Sequence, residues 1–244
     1  MNQELEELDN NTLMKLIFES IHLVALHYGI WFRELEHQIG LDKTLEADDI
    51  VWKQVLPGLL ERIGKRFGKS AGDIPGFVAG CTGEELAEIL GDLNRTWYVD
   101  DGIWFQTVEK NFDYEMHLAK RVNDSCWTRF SYIEAKRLMK TLDLPENGGI
   151  PVLRQALKYR QYSLLNRHEI VDVNDNKIIF RVNECRVQEA RSKKGLPEYP
   201  CRSAGYVEYA RFAEVIDTRI RTACIDCPPD HHPAEWYCAW GFET

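Results

Sequence analysis

The sequence lacks a surplus of basic residues. Its 30 Lys and Arg residues stand against 39 Asp and Glu, and the formal net charge is −9. A chain with this charge is a poor partner for a nucleic-acid backbone or an anionic membrane surface. The one dense basic cluster, residues 191–194, is short and typical of a solvated loop. We therefore expect neither nucleic acid nor a membrane as a partner.

The sequence also lacks a secretory signal and a long apolar run. Residues 1–11 are acidic and contain no apolar segment, and no apolar stretch reaches the length that a bilayer span needs. These absences predict a cytoplasmic protein, whose thiols stay reduced. The chain of 244 residues, 44% of them hydrophobic, is long enough for one large domain or two modest ones.

What the sequence does contain is a concentration of cysteine near its end. Cys201, Cys224, Cys227 and Cys238 lie there, with Cys185 a little upstream. The Cys-x2-Cys spacing of Cys224 and Cys227 lets two thiolates hold one face of a tetrahedral ion while two distant cysteines close the other face. We predict a metal site formed by Cys201, Cys224, Cys227 and Cys238. Zinc is the expected ion and an iron–sulfur cluster the alternative, because thiolate ligands alone do not separate the two.

Several alternatives at this cluster stay open. Cys224 and Cys227 could form a redox dithiol, although the prolines that follow favour a turn over the helix that such pairs usually open. Cys185 could be a core thiol, a metal ligand in place of Cys201 or Cys224, or a catalytic nucleophile. The candidate bases near it in sequence are His168, Glu169 and Glu184. His231 and His232 could also replace one cysteine as ligands.

The first two thirds of the chain contain an internal repeat. The residues Gly29-Ile30-Trp31-Phe32 reappear as Gly102-Ile103-Trp104-Phe105. Further matches follow in order: Glu36 with Glu109, Trp52 with Trp127, Arg62 with Arg137, and Ile74-Pro75 with Ile150-Pro151. Around them, apolar residues recur at helical spacing. We predict two copies of a helical hairpin, each about 75 residues long.

The repeated aromatic residues are candidates for a ligand pocket as well as for the core. Large buried aromatic side chains dominate protein cores, but two related hairpins can also leave an aromatic-lined cavity between them. The candidate ligand-binding residues are Trp31, Phe32, Trp104, Phe105 and Trp127.

Local signals predict the element boundaries. In the helical part we expect a helix from near Thr12 to Gly40, capped by Asn10 or Asn11. A second helix should cover residues 44–67, kinked or split at Pro57-Gly58, and a capping box of Thr82 and Glu85 should start a short helix over 84–90. Towards the end we expect strands over 169–173, 177–187, 219–225 and 235–242, with a helix over 203–216.

The end of the chain resembles the 4-vinyl-reductase-type domain of bacterial aromatic-sensing regulators. The resemblance lies in Cys201 before a Gly-Tyr helix, in the Cys224-x2-Cys227 pair and in Cys238. In those sensors, three cysteines and an acidic residue hold zinc. The resemblance implies the same roles for Cys201, Cys227 and Cys238, with Cys224 in the place of the acidic ligand.

The chain as a whole is also similar to the L-2-amino-thiazoline-4-carboxylic acid hydrolase-like group of bacterial cytosolic proteins. That similarity implies a hydrolase acting on a C–N bond of a thiazoline or amidine, but it assigns no catalytic residue.

Together these features predict an α+β protein. Residues 1–95 and 96–164 would be the two helical repeats. Residues 165–244 would be a small antiparallel sheet, crossed by one helix and carrying the metal site, and all three parts could form one compact unit. Four thiolates leave no open position on zinc, so the site would be structural. The predicted function is small-molecule binding or sensing, with the hydrolase as the alternative. A homodimer is left open.

Overall fold

The computed structural model describes residues 5, 7–67, 80–112 and 115–244. The fold is α+β, as predicted, and the described residues form seven helices and one antiparallel sheet of four strands. The helices are α1 (Asn10–Ile39), α2 (Leu41–Phe67), α3 (Gly83–Asn111), α4 (Glu115–Thr141), α5 (Gly149–Lys158), α6 (Arg186–Lys193) and α7 (Arg202–Ile216). The strands are β1 (Arg167–Asn174), β2 (Lys177–Glu184), β3 (Arg221–Asp226) and β4 (Cys238–Glu243). The chain divides into two compact units, Met1–Cys126 and Trp127–Thr244.

Helix α1 begins one residue earlier than either predicted cap allows. The Asp9 carboxylate accepts a hydrogen bond from the Thr12 amide at 3.0 Å, so Asp9 is the N-cap. The helix ends at Ile39. Its C-cap is Gly40, whose φ of 86° lies in a region that disfavours residues with a side chain. Helix α2 then continues through Pro57 and Gly58 as one helix, so the predicted split does not occur.

Helix α3 is much longer than the predicted 84–90 segment. The capping box of Thr82 and Glu85 is confirmed, but the helix continues for 29 residues. Its buried stripe includes Leu90, Asn94, Trp97 and Trp104 at helical spacing. Asn94 interrupts the apolar pattern of this stripe. The sequence therefore suggested that the helix ends before it.

In the first unit, α1 and α3 pack together and α2 packs against both. Residue pairs show that α1 and α3 run in the same direction: His27 contacts Trp97, and Trp31 contacts Trp104. Within the described residues, α1 is also the one helix whose length and composition would allow it to cross a membrane. This corrects the expectation that no such segment exists. It is weak support for a membrane span, because a core helix of a soluble protein has the same properties.

In the second unit the strand order is β1-β2-β4-β3, all antiparallel. Helix α7 crosses the sheet as expected, and Tyr209 packs against Phe180 and Trp240 with ring centroids 5.6 and 5.1 Å away. At Gly205 the approach to the sheet is so close that an added Cβ would lie 2.5 Å from a ring carbon of Trp240. Glycine is therefore required at this contact.

Three predicted boundaries in this unit are wrong. Strand β2 stops at Glu184 because Cys185 is the N-cap of α6, which takes residues 186–193 out of the predicted strand and loop. Strand β3 begins at Arg221, because the Asp217 carboxylate binds both the amide and the guanidinium of Arg219 and holds a turn there. Strand β4 begins only at Cys238.

A buried ionic cluster lies under α7. The Arg160 guanidinium, 1% exposed, is 2.8 Å from the carboxylates of both Glu134 and Glu208. It also lies over the Phe212 ring, 4.4 Å from the centroid. Burial opposes the charge of Arg160, but the two carboxylates more than offset it and raise the arginine pKa. One cation thus links α4, the segment after α5, and α7.

The Asp217 carboxylate predicts an acid-sensitive contribution to stability. Hydrogen bonds from the Arg219 side chain, above all, lower its pKa from 3.8 to about 2, and Gly149 N also donates to it at 3.1 Å. Because the folded-state pKa is depressed, this stabilisation is complete above pH about 4 and is lost as the pH falls through about 2. In urea unfolding across this range, the stability difference between wild type and Asp217→Asn should shrink as the pH falls. The exposed turn residue Asp175, changed to Asn, is the control and should show no such trend. A wild-type-to-D217N difference that is constant with pH would contradict the prediction.

Candidate functional site

The second unit brings together four cysteines that are far apart in sequence. Cys185 follows β2 and is the N-cap of α6, Cys201 is the N-cap of α7, Cys227 follows β3, and Cys238 is the first residue of β4. The Cys227 thiol forms hydrogen bonds with Cys201 and Cys238, and these contacts, with burial, raise its pKa well above the usual value. All the cysteines are free thiols. The cluster therefore joins one end of each of three strands, β2, β3 and β4, to the starts of two helices.

Cys185 is a full member of this cluster, whereas Cys224 lies at its margin. Burial raises the pKa of Cys185 to about 12, and the neighbouring Cys201 and Cys238 add to the rise. The hydroxyl of Tyr162 lies 3.2 Å from its sulfur. A thiol with so high a pKa is protonated at neutral pH, which does not favour a nucleophilic role.

The bases suggested for Cys185 are engaged elsewhere. Glu169 forms an ion pair with Arg181, and Glu184 forms one with Arg167. The His168 ring stacks on Phe180 with centroids 5.1 Å apart. The structure therefore gives no support to a Cys-based catalytic group among these residues.

Cys224 lies on β3 opposite Trp240 and is only half-buried. Burial raises its pKa, and the Arg202 charge opposes that rise. Cys238 also adds to the rise in the Cys224 pKa. Cys224 is therefore near the cluster, but as a half-buried residue it lies at the margin.

Polar groups around the cluster fix its loops. The buried Gln188 side chain donates to the Cys201 sulfur at 3.1 Å and to the Tyr199 carbonyl at 2.9 Å, and it accepts from the Tyr199 amide. The Arg202 amide donates to the Pro228 carbonyl at 3.0 Å, which ties the start of α7 to the turn after Cys227. Gln188 had no sequence signal, because its role depends on the fold of the 194–200 loop.

The other predicted participants lie in different surroundings. His232 binds the Pro233 carbonyl and Glu198, and these contacts raise its pKa although burial opposes the rise. His231 is exposed. Among the arginines nearby in sequence, Arg202 is near Cys224 and pairs with Asp230, whereas Arg219 binds Asp217.

As the side chains stand, the described residues contain no group of three or more His, Cys, Asp or Glu arranged to hold a metal ion. The donor types of the cluster nevertheless match those of a thiolate zinc site. Binding an ion would require the thiols to lose their protons and rotate towards one point.

The candidate aromatic residues divide between the two units. Trp31 and Trp104 are wholly buried in the first unit and stack with centroids 6.2 Å apart and planes 4° apart. Phe105 is buried and Phe32 half-buried. Trp127 belongs to the second unit, where it packs against Phe130 and Tyr162.

A group that the sequence did not single out lies beside the stacked tryptophans. The Trp31 indole donates to an Asp101 carboxylate oxygen at 3.0 Å, and the same oxygen is 3.4 Å from Nε2 of His27. Asp100, the residue that precedes Asp101, is completely buried. The signal that was available is the pair of acidic residues inside an apolar helical stripe.

Comparison with known proteins gives one match. The model of a protein family described as a family of unknown function, DUF6125, matches residues 79–244. No curated protein matches the chain, and no solved structure matches it. The matched segment includes α3 to α7, the whole sheet and the cysteine cluster, and it covers well over half of the chain. The chain therefore belongs to the DUF6125 family.

Proposed function

We propose that this protein binds zinc through a structural thiolate site in its second unit and a small molecule among the aromatic side chains of its first. The observation that carries the zinc proposal is the convergence of Cys185, Cys201, Cys227 and Cys238, because the first and last of them are 53 residues apart in the sequence. Reduced cysteines in a cytoplasmic chain are more typical of metal binding than of disulfides.

The proposed ligand set replaces Cys224 by Cys185. Cys185 is 4% exposed and close to Cys201, whereas Cys224 is half-buried at the margin. Four thiolates on Zn²⁺ carry a formal charge of −2, and the Gln188 amide, which donates to the Cys201 sulfur, is placed to stabilise part of it. With no open coordination position, this zinc would hold the fold together and would not activate water.

The small-molecule part of the proposal is supported by the contact between Trp31 and Trp104. These residues occupy equivalent positions in the predicted hairpin repeat, and their rings stack where α1 packs against α3. We propose that the two hairpins are copies of one unit and that the ligand lies where their aromatic residues meet. The hydrolase alternative is based on sequence resemblance alone and stays a prediction.

Metal analysis of protein purified under reducing conditions tests the zinc proposal. We expect one zinc per chain in the wild type, and loss of most of it in the Ser variants of Cys185, Cys201, Cys227 and Cys238. Cys224→Ser is the matched control, from the same segment, and should keep the metal. Zinc lost in C224S but kept in C185S would restore the ligand set predicted from the sequence. A finding of iron together with sulfide would mean that the site holds an iron–sulfur cluster and not zinc. Wild-type protein without metal would refute the proposal.

A further inference from the structure

The first unit contains an acidic pair, the buried Asp100 and the half-buried Asp101, that the described residues do not neutralise. Asp100 is 0% exposed, and neither of its carboxylate oxygens has a hydrogen-bond partner. Asp101 beside it accepts from Trp31 and lies close to His27. A buried carboxyl group without a partner costs free energy that folding has to offset. Such a group is a candidate binding site, since a ligand would recover that cost.

No resident cation offsets this pair in the described part of the first unit. Neither Asp100 nor Asp101 forms an ion pair there with Lys or Arg. His27 cannot supply the charge, because burial lowers its pKa to about 3 and leaves the ring neutral. Burial also raises the pKa of Asp100 to about 8 and that of Asp101 to about 7, which reflects the same lack of positive charge.

Aromatic rings surround the acidic pair. Trp31, which donates to Asp101, stacks on Trp104, and the Tyr28 ring lies 5.2 Å from Trp104. The Tyr28 hydroxyl donates to Asp48 at 2.7 Å, which fixes the ring at this position. Faces of aromatic rings attract cations, most strongly where water is excluded. The indole Nε1 of Trp104 is itself buried without a hydrogen-bond partner.

The surroundings favour an organic cation over a metal ion. Hard metal ions such as Mg²⁺ and Ca²⁺ take six or more oxygen ligands, whereas the contacts described here offer two carboxylates with the Trp31 indole and the His27 ring beside them. Carboxylates next to tryptophan and tyrosine rings are, in contrast, the combination that binds ammonium groups.

We infer that the small molecule is an organic ammonium ion whose charge is bound by Asp100 and Asp101 and whose carbon skeleton lies against Trp31, Trp104 and Tyr28. This inference rests on the proposed small-molecule binding and adds the chemical class of the ligand. It assigns Asp100 as the main binding residue, because Asp101 already accepts a hydrogen bond from Trp31.

Thermal unfolding of the full chain tests the inference with defined probes. The probes are primary ammonium ions from methylammonium to benzylammonium, each paired with the neutral alcohol of the same skeleton. We expect at least one ammonium ion to raise Tm by about 5–10 °C at about 100 times its Kd. The matching alcohol should have little effect. Asp100→Asn should abolish the shift, while Glu46→Gln, which removes a charge from the exposed face of α2, should keep it.

The unliganded variants add a second readout. Because Asp100 is desolvated without a partner, D100N should have the same Tm as the wild type or a higher one, whereas a purely structural Asp100 would make it lower. Ammonium ions and alcohols that stabilise equally, with D100N unchanged, would refute the cation class and leave small-molecule binding intact. If no probe shifts Tm, the inferred site is wrong. The metal analysis tests the zinc site, and its result does not depend on the outcome for the ammonium site.

Discussion

Replacing Arg160 by Met should destabilise the second unit by about 3–5 kcal/mol, the typical cost of removing one partner of a buried ion pair. The change leaves Glu134 and Glu208, both nearly fully buried, without their common cation. It also removes the guanidinium that covers Phe212, although Met fills part of that volume. Urea unfolding followed by circular dichroism measures the loss.

Matched variants separate charge from packing in this cluster. Arg160→Lys keeps the charge but cannot make the forked contact to Glu134, so it should lose less than R160M. Combining R160M with Glu134→Gln and Glu208→Gln removes the unpaired charges and should recover much of the stability. If the triple variant is no more stable than R160M, the loss is one of packing and the electrostatic account is wrong.

Removal of the proposed zinc should have the other large effect. Zinc contributes about 10–16 kcal/mol to the folding of small zinc-binding peptides, and most domains have only about 5–15 kcal/mol of net stability. Although the second unit has its own apolar core, a chelator should therefore lower its Tm strongly. Trp240, which is wholly buried against α7 at Gly205, should become exposed, with a red shift of tryptophan emission.

The chelator experiment does not depend on a variant that disturbs the core. Replacing a buried thiol by serine costs free energy even without a metal, because the hydroxyl is more polar. Loss of stability on chelation, reversed by added zinc, isolates the metal contribution. If chelation has no effect and Cys227→Ser is no worse than Cys224→Ser, the cluster is only a set of packed core thiols.

The sequence by itself determined the fold class and most of the elements. Helical spacing predicted α1 and α2, the capping box located the start of α3, and the hairpin of β1 and β2 followed from apolar runs around an Asn-rich turn. These features depend on residues close in sequence, so local rules are sufficient for them. The hairpin repeat as a whole remains a prediction, and two of its matched residues, Ile74 and Pro75, lie outside the described residues.

Only the tertiary structure decided which distant residues meet. Cys185 joins the other thiols because β2 and β4 are neighbours in the sheet, a pairing that spacing along the chain does not encode. Likewise, the sequence analysis did not single out Asp100 or Asp101; the parallel packing of α1 and α3 buries Asp100 and brings Asp101 to the Trp31 indole. The length of α3 was missed for the same reason: burial against α1 stabilises a helix whose own apolar pattern is interrupted. Contacts between segments far apart in sequence are set by how whole faces pack, so they appear only in the folded chain.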